Sequence, residues 1–251
     1  MAIVGGGFSG VALAAELLRS GGDQRVTLLE SGPRLGRGVA YGTTDPAHLL
    51  NTRAERMSLL GGDPTHFVRW SRARGRDTEP TDFVARSMYG NYLEDTLNAL
   101  ASGVGSGMFS AQSSTEVRDV APLHAGFAIV LDGGATLPAD EVVLATGHPL
   151  PGDPLAHWLP AGAPRYLRDP WRSHELAAIG SDDRVLLLGT GLTMVDVVLT
   201  LTARGHRANI AAVSRRGLLP RAHSAAHEPL PQDLVDELRR GLSLGNLRRA
   251  L

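Results

Sequence analysis

The hydrophobic pattern is clearest where the chain opens. Apolar Ala2–Val4 runs straight into Gly5-Gly6-Gly7-Phe8-Ser9-Gly10, after which Val11, Leu13, Ala14, Leu17 and Leu18 recur at helical spacing over residues 9–19. A second apolar run, over residues 25–29, ends on the acid Glu30. Strand, glycine turn, amphipathic helix, strand and acid is the order of a βαβ unit whose turn holds a dinucleotide. The pattern restarts late in the chain. Val185–Leu188 leads into Gly189-Thr190-Gly191-Leu192-Thr193-Met194, a helical stretch to residue 203, and a strand over 208–213.

Between the two units the pattern is mixed. Residues 31–63 have no period and are rich in Gly, Arg and Thr, which predicts a long loop. Arg53 and Arg56 fall in a short helix there and read as solvated. Helical spacing predicts helices over 65–74, after Asp63-Pro64, and over 89–101, with Tyr92, Leu93, Leu97 and Leu100 as core residues. Short strands over 115–120, 127–131 and 135–137, with an Asp132-Gly133-Gly134 turn, predict a small antiparallel meander. The apolar run after Glu141 ends in Ala145-Thr146-Gly147-His148 and reads as a buried parallel strand stopping at a ligand-facing turn. Residues 150–170, rich in Pro, Gly and Ala, read as an interdomain connection. One amphipathic helix is expected over 232–242.

The spacing of the first turn has a chemical reason. Gly5 permits the tight exit from the strand, Gly7 lets backbone amides approach a pyrophosphate, and Gly10 lets the helix lie close on the sheet. With Phe8 and Ser9 they form a helix start whose unpaired N–H groups and positive dipole end face an anion. Glu30, twenty residues after Gly10, is placed to accept hydrogen bonds from ribose hydroxyls. The segment from Gly36 to Gly42 offers Arg37 and the Gly38 amide to the same pyrophosphate; the alternative is a solvated connection. At the second turn, Gly189, Gly191, Leu192 and Thr193 repeat the arrangement, but Met194 replaces the third glycine. No acid ends its second strand. Ser214, Arg215 and Arg216 stand there, and such groups bind a 2′-phosphate that a carboxylate would repel, so NADPH is preferred over NADH. The alternative is a surface arginine pair. Asp196 reads as a buried helix residue with a backbone partner. His223 and His227, flanked by prolines, are not expected to bind a metal, and no residue is singled out as catalytic.

Composition narrows the chemistry. Of 251 residues, 43% are hydrophobic and 20% charged, as in an ordinary soluble globular protein. A net charge of −1 without a basic run speaks against nucleic acid as a partner, and no apolar run is long enough to span a bilayer. The glycine turn leaves no room for a signal peptide before it, so the cytoplasm is the expected compartment. There is no cysteine, which excludes a redox-active Cys pair or thiolate zinc site within these residues. There is also no lysine, which excludes a Schiff base, a Walker-loop lysine and a Tyr-x-x-x-Lys proton relay.

Taken together, GGGFSG (Gly5 to Gly10), GRGVAYGT (Gly36 to Thr43), ATGH (Ala145 to His148), GTGLTMVD (Gly189 to Asp196) and SRRGLLPRAH (Ser214 to His223) resemble flavoproteins with two dinucleotide-binding domains, the FAD/NAD(P)-binding group that includes flavin-dependent hydroxylases. The resemblance implies an α/β fold: a Rossmann-like FAD-binding domain over 1–150 with an inserted antiparallel meander, and a partial Rossmann-like NADPH-binding domain over 151–251. It implies FAD on the first turn, lined also by Ala145, Thr146 and Gly147, and NADPH on the second. NADPH would reduce FAD, and the reduced flavin would activate oxygen to hydroxylate a small-molecule substrate. Such flavoproteins continue well past the second nucleotide strand, so the resemblance implies either the N-terminal part of a larger enzyme or a shortened relative. A dinucleotide-binding module without turnover, a homo-oligomer and a further C-terminal portion stay open as alternatives.

Overall fold

A computed structural model describes residues 1–149, 152–160, 162–171 and 173–224. In chain order the elements are β1 (Ala2–Val4), α1 (Phe8–Ser20), β2 (Val26–Leu29), α2 (Gly38–Tyr41), α3 (His66–Arg72), α4 (Arg86–Ser102), β3 (Phe109–Gln112), β4 (Val117–Pro122), β5 (Phe127–Leu131), β6 (Thr136–Ala139), β7 (Val142–Leu144), α5 (Ser173–Ala177), β8 (Val185–Leu188), α6 (Leu192–Ala203) and β9 (Ile210–Val213). The long loop expected over 31–63 is interrupted by α2 and by a 3-10 turn, Ala54–Arg56. The chain divides into two compact units, Met1–Pro220 and Arg221–Leu251. Of the second, residues 221–224 are described and have neither helix nor strand. His227 and the helix expected over 232–242 lie outside the described residues.

The first sheet is parallel, in the order β3-β2-β1-β7. At β1 and β2 both its faces are covered, which is why these strands read as apolar runs, broken only by Thr27. On one face Ile3 and Leu28 pack with Val11 and Ala14 of α1 and with Tyr89, Tyr92, Leu93 and Leu97 of α4. On the other, Ala2 and Leu29 meet the meander through Ile129, Leu131 and Leu137. The meander is the antiparallel sheet β4-β5-β6, as the period-two pattern predicts.

One strand has no counterpart among the expectations, and two expectations are corrected. The strand β3 carries no apolar period, because its sequence is FSAQ and its outer edge is open; it is held by backbone pairing to β2. The β7 strand pairs with β1 as expected, but it is the sheet edge and Leu144 is 66% exposed. Arg53 is buried rather than solvated. Its guanidinium donates to the Thr81 carbonyl (3.0 Å) and lies over the Phe83 ring.

The second sheet has two parallel strands, β8 and β9. Val185, Leu187 and Ile210 on one face pack against Val197 and Leu201 of α6 and Leu176 of α5. The opposite face leaves Leu186, Leu188 and Val213 exposed.

Candidate cofactor site

The first glycine turn is built by steric demand at three positions and by open room at a fourth. Gly5 has φ +106°, a conformation side chains disfavour, and a Cβ there would strike the Ala145 carbonyl. A Cβ on Gly6 would come within 2.7 Å of Glu30 Cβ and 2.8 Å of Leu35, and one on Gly10 would strike the Gly5 carbonyl oxygen. Gly7 differs. Its φ is −70°, and a Cβ there would meet nothing closer than the Gly38 backbone at 3.7 Å. The fold does not require glycine at this position, so the room is available to something that is not the protein.

No side chain caps α1, and its first internal hydrogen bond runs from the Val11 N–H to the Gly7 carbonyl (3.0 Å). The N–H groups of Phe8, Ser9 and Gly10 therefore have no partner within the helix. Phe8 and Ser9 are exposed at this helix start. The arrangement is an anion cradle made of backbone.

Glu30 stands beside it at the end of β2. Its carboxylate accepts from the Gly6 N–H (2.7 Å) and the Gly32 N–H (2.6 Å), so it shapes the turn as well as reaching its rim. The Gly36 N–H donates to the Gly6 carbonyl (2.7 Å), which brings residues 36–38 against the turn. Gly38 backs onto Gly7, as its candidate role requires. Arg37 does not point its guanidinium at the turn. It donates to the Ser87 carbonyl (3.0 Å) and Asn91 Oδ1 (2.6 Å) and pairs with Glu94 (3.2 Å) on α4. Burial and the nearby Arg34 charge hold its pKa below the ordinary value, against the pull of Glu94.

Phe8, Tyr41 and Tyr89 form an aromatic wall next to the turn, with Tyr41 and Tyr89 edge to face at 4.7 Å. Burial raises both phenol pKa values, so both stay neutral. The sequence signal for this wall is the aromatic at helical spacing in α4, legible as core but not as site lining. Ala145 is hydrogen-bonded to β1 through its N–H (2.7 Å to the Val4 carbonyl), and Thr146 and Gly147 follow it exposed beyond the strand ends. An open groove of about 620 Å³ lined by Arg76, Asp77, Phe83 and Asn91 includes none of these turn residues.

The second turn repeats the backbone of the first. Gly189 has φ +109°, and Gly191 opens α6 in an extended conformation (φ −83°, ψ −170°) close to that of Gly7 (φ −70°, ψ −164°), again without a side-chain cap. The N–H groups of Leu192 and Thr193 start the helix as those of Phe8 and Ser9 do. Ser214, after β9, accepts from the Gly217 N–H (3.0 Å) and lies 2.8 Å from the Thr190 hydroxyl, which ties this turn to the end of its second strand. Arg215 and Arg216 are exposed and enter no ion pair among the described residues.

A family model for FAD-NAD(P)-binding domains matches residues 2–149, more than half of the chain. The chain belongs to this FAD-NAD(P)-binding family. No curated protein sequence matches it. Solved structures share its fold at low identity. OTEMO in complex with FAD and NADP aligns at a TM-score of 0.54 and 18% identity, over 85% of this chain and 38% of that one. Bacillithiol disulfide reductase Bdr from Staphylococcus aureus aligns at 0.56 and 18%, over 95% of this chain and 62% of the other. A mutant flavin monooxygenase from Stenotrophomonas maltophilia aligns at 0.57 and 19%, over 85% and 57%. The chain thus spans less than two thirds of each of these structures.

In this FAD-NAD(P)-binding chain a buried polar cluster lies between the two turn units. Asp196 is buried on α6, and its partner is a side chain rather than the backbone group expected. Arg86, the first residue of α4, donates to both its carboxylate oxygens (2.7 and 3.2 Å) and also to the Leu49 carbonyl (2.9 Å). His48, also buried, lies 3.1 Å from the Asp196 carbonyl and 2.9 Å from Thr200 Oγ1 through Nε2, and 2.7 Å from Thr43 Oγ1 through Nδ1. A carbonyl can only accept, so the network assigns the proton to Nε2. The Thr200 hydroxyl donates to Asp45 (2.7 Å). Removing one partner of such a buried pair costs roughly 3–5 kcal/mol, because the other charge is left unsolvated. Among the described residues no group of three or more potential metal ligands occurs, and no helix is long and apolar enough to cross a membrane.

Proposed function

We propose that the chain is the nucleotide-binding part of an FAD-dependent NADPH oxidoreductase of monooxygenase type, with FAD on the first glycine turn and NADPH on the second. The observation that carries this reading is the repeated turn: two uncapped helix starts, each preceded by a glycine at φ near +107° (Gly5 at +106°, Gly189 at +109°). Two such turns suit two dinucleotides. FAD bound there would supply two-electron chemistry, taking up a hydride from the nicotinamide ring and leaving NADP⁺.

The residues then have distinct tasks. Phe8, Ser9 and Gly10 offer amides to the FAD pyrophosphate across the room left at Gly7. Glu30 accepts from the ribose hydroxyls, and Gly38, Ala145, Thr146 and Gly147 border the same cofactor. Leu192 and Thr193 face the NADPH pyrophosphate, and Ser214, Arg215 and Arg216 take the 2′-phosphate. On this reading the FAD-binding domain extends over 1–150 and the NADPH-binding domain over 151–251, and the substrate is a small molecule.

A second reading is a binding module that holds one cofactor without turnover. The exposed Leu186, Leu188 and Val213 favour it, since uncovered strands make a less rigid seat for the second nucleotide.

The test is a titration of the chain with FAD beside Gly7→Val and Gly10→Ala. Gly7→Val should keep its circular dichroism and lose FAD affinity about 100-fold, the equivalent of roughly two lost hydrogen bonds to a charged group. Gly10→Ala should instead be destabilised by roughly 1–3 kcal/mol through overpacking. Unchanged FAD affinity in Gly7→Val would remove FAD from this turn.

A further inference from the structure

The groups left unused by this reading are concentrated where α6 meets the loop over 43–49 and the start of α4. The apolar side of α6, Val197 and Leu201, is spent on its own strands. Its contact with Asp45, His48 and Arg86 is carried by Asp196 and Thr200, and those contacts are hydrogen bonds of fixed direction. Apolar surfaces tolerate sliding, whereas a guanidinium bidentate to a carboxylate has one productive geometry.

Both ends of the contact are tied to the turns. Asp196 stands five residues beyond Gly191, about 7.5 Å along the helix that the second turn opens. On the other side, Thr43 and His48 follow directly on α2, whose first residue Gly38 backs onto Gly7. Arg86 is joined to the same loop twice, by its N–H to the His48 carbonyl (2.8 Å) and by its side chain to the Leu49 carbonyl. Any rotation of α6 that moves the second turn must break this set.

We propose that Arg86, Asp196 and His48 are positioning residues, a polar pin that holds the second glycine turn in register with the first so that cofactors on the two are aligned for transfer. The inference rests on the reading above that both turns bind cofactors. None of the three lies in either turn, so they act through α6 and through the loop behind Gly38.

The test uses the full chain with FAD added. Asp196→Asn keeps the side-chain shape and removes the charge. Thr200→Val is nearly isosteric and removes only the bonds to Asp45 and His48, which guards against a first variant that does not fold. Hydrogen exchange over Leu192–Ala203 and the limiting rate of anaerobic flavin reduction at saturating NADPH are measured on each. The pin predicts FAD affinity like that of the wild type, exchange in α6 faster by about tenfold, and a limiting rate lower by about fivefold at unchanged NADPH affinity. Exchange at the wild-type rate in both variants overturns the pin. Faster exchange with an unchanged limiting rate overturns the positioning role. A wild-type chain whose flavin is not reduced by NADPH counts against the proposed function instead, and the exchange arm still decides whether the pin holds α6.

Discussion

A Cβ on Gly10 would collide with the Gly5 carbonyl, whereas one on Gly7 would meet only the Gly38 backbone at ordinary contact distance. That contrast separates a glycine the fold needs from one that, on the proposed reading, a ligand would need. The same separation applies to charges. Arg37 and Arg53, both in the glycine- and arginine-rich loop, are consumed by contacts to α4 and to the Thr81 carbonyl. Arg215 and Arg216 are exposed at the end of β9 with no ion-pair partner described, and on the proposed reading a 2′-phosphate would give them one. Replacing both with Ala should weaken NADPH by about tenfold or more, from roughly 1.5 kcal/mol per charged hydrogen bond, and leave NADH nearly unchanged. Isothermal titration with the two nucleotides checks this; equal losses would assign the pair to the general surface. At this scale the glycines were legible because their spacing is dictated by a local turn. The direction of Arg37 was not, since Asn91 and Glu94 lie more than fifty residues away and nothing local predicts them.

At the scale of elements, α6 is the informative one. Its existence and the flanking strands followed from the repeat of the first pattern, but its docking did not, because it depends on Arg86, His48 and Asp45 far upstream. Asp45 gives this docking an acid limit. Burial pushes its carboxyl up, but the hydrogen bonds from Thr200 and Ala47 and the charges of His48 and Arg204 hold it below its ordinary value near 3.8. A depressed carboxyl contributes stability that is present above its ordinary pKa and lost as the pH falls through the folded value. The wild type should therefore be more stable than Asp45→Asn at pH 6, with the gap closing below about pH 4. Urea melts at a series of pH values would show it; a gap independent of pH would mean the carboxylate charge is not used. The β3 and β7 strands show a different limit. An edge strand is held largely by backbone pairing, so its side chains need not carry a period, and neither the presence of β3 nor the exposure of Leu144 on β7 could be read from hydropathy.

At the scale of the whole molecule, the strands β1, β2 and β7 of the first sheet and the meander are legible in the sequence because each of these segments carries its own pattern. How α6 docks against Arg86, His48 and Asp45 is not, because that contact is polar and long-range. On the proposed reading, one chain holds two dinucleotides close enough to exchange electrons. The most direct measurement is the visible absorption spectrum of the purified full chain, saturated with FAD, before and after NADPH is added without oxygen. The account predicts a protein-bound flavin band that bleaches on addition of NADPH. A protein that takes up no FAD, or a bound flavin whose band survives excess NADPH, would contradict it.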